Sequence, residues 1–337
     1  NISKTNSFFE KVKKEKKISI FSDYDVDGAC AAAICKKLLS QFQIEVYVYI
    51  PNRLNEGYGL NTRAIDKLLD FSSNILVLDC GSNNFSEQEY INKHGAEVVI
   101  VDHHECDNYF EKAIVVNPKT PNDNSNLDDL CATALVFLLF VYLKNENIFL
   151  NSDILQYLDL VALATICDLV PLSDLNRSFV RQGLRIINSE NLNKGIQTLI
   201  NQAKIKQSIS EYHLGYILGP RINAGGRVVK CSHGANLLLN SNPKEVFKIA
   251  IELDQYNKER KILEQDLVEK ILSDTKIELK DPILILQGRN WHEGVIGIVA
   301  SRIKEKFNKP TVIISVSGEV GKASARSISG FDIGSAI

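Results

Sequence analysis

The chain has 337 residues, of which 45% are hydrophobic and 24% charged, and a formal net charge of -2. That is the make-up of an ordinary globular protein, long enough to hold two domains with separate cores. The near-neutral balance excludes wholesale coating of a polyanion, yet permits a local basic groove beside an acidic centre.

Seven cysteines, at 30, 35, 80, 106, 131, 167 and 231, form no CxxC pair. They read as reduced, mostly buried thiols, and the expected location is the cytoplasm. The basic run Lys11–Lys17 has no apolar segment of signal-peptide length after it, and is expected to be a solvated helix face. The longest largely apolar run, Leu130–Leu143, has 14 residues. It is too short to span a bilayer, so no membrane association is expected. Methionine is absent, position 1 included.

In chain order, strand patterns recur at Ile18–Ser22, Glu45–Ile50, Ile75–Asp79, Val98–Val101 and Ile114–Val116. Helical patterns lie between several of them, as at Gly28–Gln41 and Leu60–Leu69. Such alternation predicts an α/β fold with a parallel, doubly wound sheet. Near-continuous apolar strands are expected where both faces are covered. From Asp128 to Lys194 the pattern turns helical, with apolar helices at Leu130–Leu143 and Ile154–Ile166.

A long polar helix follows between Asn240 and Ser273, either connecting two domains or packed along one of them. A smaller α/β unit comes next, with strand Ile283–Leu286, helix Val295–Phe307 and strand Thr311–Ser315, then a Gly- and Ser-dense loop over Gly318–Gly330. The expected division is a catalytic domain over 1–240, a connecting helix over 241–278 and a second domain over 279–337.

Three apolar strands run straight into aspartate: ISIFSDYDVD at 18–27, ILVLDCG at 75–81 and VVIVDHHECD at 98–107. In parallel sheets, ligands collect beyond the carboxyl ends of the strands. Carboxylates repel at close range, so Asp23, Asp25 and Asp27 on one turn make sense when a cation neutralises them. Taken alone, a DxDxD triplet is also a common surface turn. Asp102, His103 and His104 at a buried-strand exit carry more weight, because such a place is costly for idle polar groups. Asp168 closes an apolar helix, where an anion opposes the helix dipole. Mixed carboxylate and imidazole donors suit Mn²⁺ or Mg²⁺, with the imidazole favouring Mn²⁺. Two such ions about 3.5–4 Å apart can activate a water and stabilise the leaving oxygen of a phosphodiester.

These motifs resemble those of the DHH phosphoesterases and, within them, the RecJ single-strand-specific exonucleases. SDYDVDG (22–28), LDCG (78–81), VDHH (101–104) and ATICDLVPL (164–172) look like the four family motifs. PNRLNEGYG (51–59), GPRINAGGR (219–227), WHEGVIGIVASRI (291–303) and SARSISGFDIG (324–334) favour RecJ over smaller relatives. The resemblance covers nearly the whole chain. It implies a DHH domain joined by a long helix to a smaller α/β DHH-associated domain.

The resemblance further implies that Asp25, Asp27, Asp79, His103 and Asp168 hold two Mn²⁺ or Mg²⁺ ions. Asp23 stands where some relatives have a ligand histidine, and is included with them. Asp102 and His104 would orient the substrate phosphate and the ligands. Arg53, Tyr58, Arg221, Arg227, Ser324, Arg326 and Ser327 would contact DNA, the arginines gripping phosphate and the tyrosine stacking on a base. Arg221 and Arg227 are read as bracketing a Gly-rich turn, and Ser324, Arg326 and Ser327 as sitting in a flexible loop. His292 and Glu293 either cap the following helix or touch DNA.

The implied activity is 5′-to-3′ hydrolysis of single-stranded DNA to 5′-mononucleotides in DNA repair and recombination. Implied partners are single-stranded DNA, a single-strand-binding protein and a helicase. A phosphodiesterase for short oligonucleotides, with the same metal site, is the alternative; a non-catalytic relative should show apolar or amide replacements at the ligand positions. The family's downstream Gly-Gly-His motif and oligonucleotide-binding barrel are not reached, so the second domain is expected to be truncated.

Overall fold

A computed structural model describes residues 1–337 except 53–55, 107, 109–111, 122, 229 and 275–280. Five strands, β1 (Lys17–Ser22), β2 (Glu45–Tyr49), β3 (Asn74–Leu78), β4 (Glu97–Val101) and β5 (Ile114–Val116), form a sheet in the order β2-β1-β3-β4-β5. Every pairing in it is parallel. The strand order reverses between β1 and β3. The carboxyl ends of those two strands therefore flank the crevice where such sheets bind ligands.

Burial explains why these segments became strands. β3 is buried at all five positions and β1 at all but Lys17, as covering on both faces requires. One face packs Phe21, Ile75, Val77 and Ile100 against Ile65 and Leu68 of the helix Thr62–Leu69. The helix Val26–Gln41 packs on β1 and β2 and also against the apolar helix Ala132–Asn145. Its buried Ala29, Ala31, Ala32 and Ala33 suit close packing. Phe9, Phe140 and Phe149 form an aromatic knot with centroids 5.8–5.9 Å apart. In the basic run, Lys11 and Lys17 reach Glu97 and Glu45 at 3.8 and 3.9 Å. Such surface pairs contribute little to stability.

Helices Leu158–Cys167, Asp174–Ile187, Lys194–Gln202, Gly219–Val228 and Ser232–Leu239 complete this part. The expectation of a Gly-rich turn between Arg221 and Arg227 is corrected: a π-helical stretch, Leu214–Leu218, runs into the α-helix Gly219–Val228. Close approach, not a turn, explains the glycines there. A Cβ on Gly226 would lie 3.1 Å from the Tyr24 ring and one on Gly225 2.7 Å from the Lys230 carbonyl oxygen.

The chain divides into two compact units, Asn1–Gly226 with Lys230–Asp254, and a second centred on Gln255–Ile337. The division falls inside the helix Pro243–Asp274. The second unit has a three-stranded sheet of β6 (Leu284–Arg289), β7 (Thr311–Ser317) and β8 (Val320–Arg326). β6 and β7 are parallel, β7 and β8 antiparallel. Trp291, Val299, Ile303 and Ile313 lie in its core.

β8 corrects the expectation of a loop over Gly318–Gly330. Gly318 (φ +59°) makes the tight turn after β7, and pairing from Ser317–Val320 to Thr311–Arg326 satisfies the backbone that small side chains cannot hold by burial. Among the described residues, no helix is long and apolar enough to cross a membrane.

Candidate metal centre

The chain leaves β1 at Ser22 and turns immediately into the helix Val26–Gln41. Asp25 is that helix's N-cap: its carboxylate accepts from the N–H of Asp27 (2.9 Å) and of Gly28 (3.1 Å). The turn folds back so tightly that a Cβ on Gly28 would sit 2.4 Å from the Asp23 carbonyl oxygen and 2.9 Å from its nitrogen. Glycine is required there by space.

Asp27, in the first helical turn, is gripped from a distant part of the chain. Its two carboxylate oxygens accept from the backbone N–H groups of Ala132 (2.7 Å) and Thr133 (2.8 Å), and Thr133 Oγ1 donates to the Asp27 carbonyl at 2.8 Å. Those groups open the helix Ala132–Asn145, whose amino end favours an anion.

β3 ends at Leu78, and Asp79 takes a left-handed conformation, φ 61°. Its side chain lies 3.3 Å from His103 Nε2. Past β4, the Asp102 carboxylate accepts from the N–H groups of Ser82 (3.0 Å), His103 (2.8 Å) and His104 (3.2 Å). His104 Nδ1 meets the same carboxylate at 2.8 Å, leaving Nε2 to the Tyr58 hydroxyl at 3.1 Å. Asp168 is the C-cap of Leu158–Cys167.

His103 Nε2 is the hub, 3.7 Å from an oxygen of Asp27 and 3.7 Å from one of Asp168. Three groups of donor atoms lie within 4.8 Å of one another: Asp27 with His103 and Asp168; Asp23 with Asp25 and Asp79; Asp79 with His103 and His104. The four segments singled out in the sequence meet at this point.

The electrostatics are those of a place built for a cation. Burial, then the charges of Asp27, Asp25 and Asp23, pushes Asp79 well above the usual carboxylate range. Asp25 is raised by burial and by Asp27, and hydrogen-bonds with Asp79. Asp168 is pushed up to about 8 by burial and by Asp27 and Asp25. His103 is lowered by burial, so its imidazole is neutral and able to ligate. Oxygen and neutral nitrogen donors in this proportion fit a hard or borderline divalent ion. Outside the cluster the logic reverses. Burial would raise Asp102, but its bond to His104 and the Ser82 N–H outweigh it and hold it at about 2. The same bond raises His104.

Of the residues expected to touch DNA, Arg53 lies outside the described residues. Tyr58 stands edge-on to His104, centroids 5.9 Å apart, with its ring more than half exposed. Arg221 is ion-paired with Asp254 at 2.9 Å and donates to the Ile217 carbonyl at 2.7 Å.

The remaining candidates belong to the second unit. Arg227 donates to the Gly294 carbonyl at 3.2 Å. Ser324 and Arg326 end β8, where Arg326 donates to Ser324 Oγ at 3.3 Å. A Cβ on Gly297, in the first turn of the helix Ile296–Phe307, would meet both of them at 3.0–3.1 Å. Ser327 bonds to the Phe331 carbonyl. His292 Nδ1 accepts from the Gly294 N–H at 3.1 Å, and Glu293 pairs with Lys322 at 2.7 Å.

Sequence reasoning missed Ala132, Thr133, Ser82 and Asn223, whose side chain accepts from the Val26 N–H at 3.1 Å. The first two carried one signal, an apolar helix opening on Cys131 without a capping side chain.

The DHH family, N-terminal domain model matches residues 17–165, and the DHHA1 domain model matches 280–337. The first part of the chain thus matches the DHH family and the last part the DHHA1 domain. It is 33% identical over 334 residues to the single-stranded-DNA-specific exonuclease RecJ of Bacillus subtilis, covering 96% of this chain and 41% of that protein. To the Escherichia coli RecJ it is 32% identical over 340 residues, covering 95% of this chain and 59% of that one. The chain thus spans about half the length of these relatives.

Its fold superposes on a crystal structure of exonuclease RecJ bound to manganese with a TM-score of 0.87 and 28% identity, covering 99% of this chain and 84% of that one. The Thermus thermophilus RecJ in complex with Mn²⁺ gives 0.85 and 27% identity, covering 98% of this chain and 48% of that one.

Proposed function

We propose that this chain is a divalent-metal-dependent exonuclease that degrades single-stranded DNA from its 5′ end to 5′-mononucleotides, in repair and recombination. One observation carries the reading: the carboxylates of Asp27, Asp79 and Asp168, from three chain segments, converge on His103 of a fourth. The naming of the relatives as single-stranded-DNA-specific exonucleases and the manganese-bound structures support the substrate class and the metal.

Asp23, Asp25, Asp27, Asp79, His103 and Asp168 would hold two Mn²⁺ or Mg²⁺ ions. When bound, such ions supply Lewis acidity and charge neutralisation at a phosphoryl group. Asp102 fixes the His104 ring through Nδ1, so that Nε2 can hold or move a proton at the substrate. Tyr58 steadies that ring.

Arg53, Arg221, Arg227, Ser324, Arg326 and Ser327 would bind phosphates of the strand, Arg326 beside an amino helix end where anions are favoured. Catalytic residues 1–240, a connecting helix at 241–278 and a substrate-binding domain at 279–337 belong to the same reading. So do a cytoplasmic location and work alongside a single-strand-binding protein and a helicase.

The test is digestion of a long single strand, labelled at either end, with Mn²⁺. Immediate release of a 5′-labelled mononucleotide, abolished by EDTA and by Asp79→Ala, is the expected result. Survival of the long strand with cleavage of a dinucleotide would replace this reading with the short-oligonucleotide one. Label released first from the 3′ end would refute the polarity.

A further inference from the structure

The far end of the helix that carries Asp25 and Asp27 opens onto a second polar pocket. Lys36 and Lys37 sit nine and ten residues after Asp27, roughly 14 Å along the helix axis at its usual rise per residue. They line a cavity of about 430 Å³ together with Asp159, Asn193 and Lys194. An adjoining lobe of about 350 Å³ shares Lys36, Leu239 and Ser241 with it. Three ammonium groups and one carboxylate face this space.

Asp159 is the one carboxylate lining the pocket, against three lysines, so the pocket carries an excess of positive charge. Among the described residues, Lys36, Lys37 and Lys194 make no hydrogen bond and no ion pair. Asp159, almost fully buried, has already committed its oxygens to backbone N–H groups, Oδ1 to Leu160 at 2.7 Å and Oδ2 to Asn193 at 2.6 Å. Burial raises Asp159 to about 6 and lowers Lys37; the Asp159 charge opposes the Lys37 shift, and Lys194 adds to it as a like charge. Three lysines around a cavity of ligand size, with Lys37 and Asp159 held where burial disfavours their charge, mark a binding site.

We propose that this pocket binds a small phosphate-bearing anion of two or more charges. Ammonium groups on flexible stems are point-charge phosphate binders. The Asn193 side chain caps the helix Lys194–Gln202, and Lys194 is that helix's first residue. The pocket's place, on the opposite end of the Val26–Gln41 helix from the carboxylates, separates it from the metal centre.

The test is isothermal titration of the full chain with inorganic pyrophosphate in EDTA. One saturable site is expected, weakened at least about tenfold in the double variant Lys36→Gln, Lys194→Gln and unchanged in Asp79→Ala. The single variants should each give part of the loss. Competition by thymidine monophosphate would make the ligand a nucleotide; its failure to compete would make it a free inorganic phosphate. The proposal is overturned if pyrophosphate gives no saturable heat, or if the double variant binds it as wild type does. It is equally overturned if that variant loses only binding of a 12-nucleotide single strand, which would make the lysines a strand contact.

Discussion

Stripping divalent metal from the chain should reverse the pH dependence of its stability. The group that decides this is Asp168, about one-fifth exposed and held at about 8 against an ordinary 3.8 by burial and then by Asp27 and Asp25. An acid whose folded pKa lies above its unfolded value is a burden on the fold when ionised, and the burden lifts as pH falls through the folded value. Lowering the pH from 8 to 6.5 should therefore raise the stability of the metal-free chain by about 1–2 kcal/mol from this one group. Asp79 and Asp25 are shifted in the same direction and add to it.

His103, shifted down, opposes them, because the unfolded chain takes up its proton first. Its ordinary value is reached only at the low end of the window, so it removes only a small part of that gain. A net gain of about 1 kcal/mol or more remains. With Mn²⁺ bound the ionised carboxylates are the favoured form, and stability should rise from pH 6.5 to 8 instead. Urea unfolding at several pH values, in EDTA and in Mn²⁺, measures both slopes. A metal-free stability that stays flat or climbs with pH would refute the account of the cluster given above.

Other perturbations test the supports of the centre. Gly28→Ala should cost about 2–3 kcal/mol and depress metal binding, since its Cβ must push the Asp23 backbone aside; urea unfolding and Mn²⁺ titration would show both. Thr133→Val keeps the shape but leaves the buried Asp27 carbonyl without its hydroxyl donor, an expected loss of about 1–2 kcal/mol in the same unfolding assay. His104→Ala should slow Mn²⁺-dependent strand digestion about 100-fold. Tyr58→Phe, which removes one bond to that ring, should slow it only several-fold with the melting temperature unchanged.

The metal cluster was legible because each of its members follows an apolar run. β1, β3 and β4 announce themselves by burial on both faces, and what a buried strand delivers at its carboxyl end is read directly from the next residues. Asp168 could be read because it closes an apolar helix before Pro171. The clamp on Asp27 was not legible: its donors are backbone N–H groups about a hundred residues away, and any residue type can present them. β8 was hidden for a related reason. Its Gly, Ala and Ser side chains show no strand preference, and only pairing with β7 makes it a strand. The Gly219–Val228 helix was misread because its glycines answer to tight neighbours, which local sequence does not display. Arg221 shows the limit for charged residues, since Asp254, 33 positions on, could not be assigned to it in advance.

The double hold on Asp27 has a consequence for how an ion would arrive. Each oxygen is already pinned by one amide, so its remaining lone pair points in a set direction before any ion is present. Little of the ligand shell then has to be searched for or frozen during capture. Loading should be limited by how fast the ion sheds its water, and exchange of one divalent ion for another should leave the backbone of both gripping helices where it was.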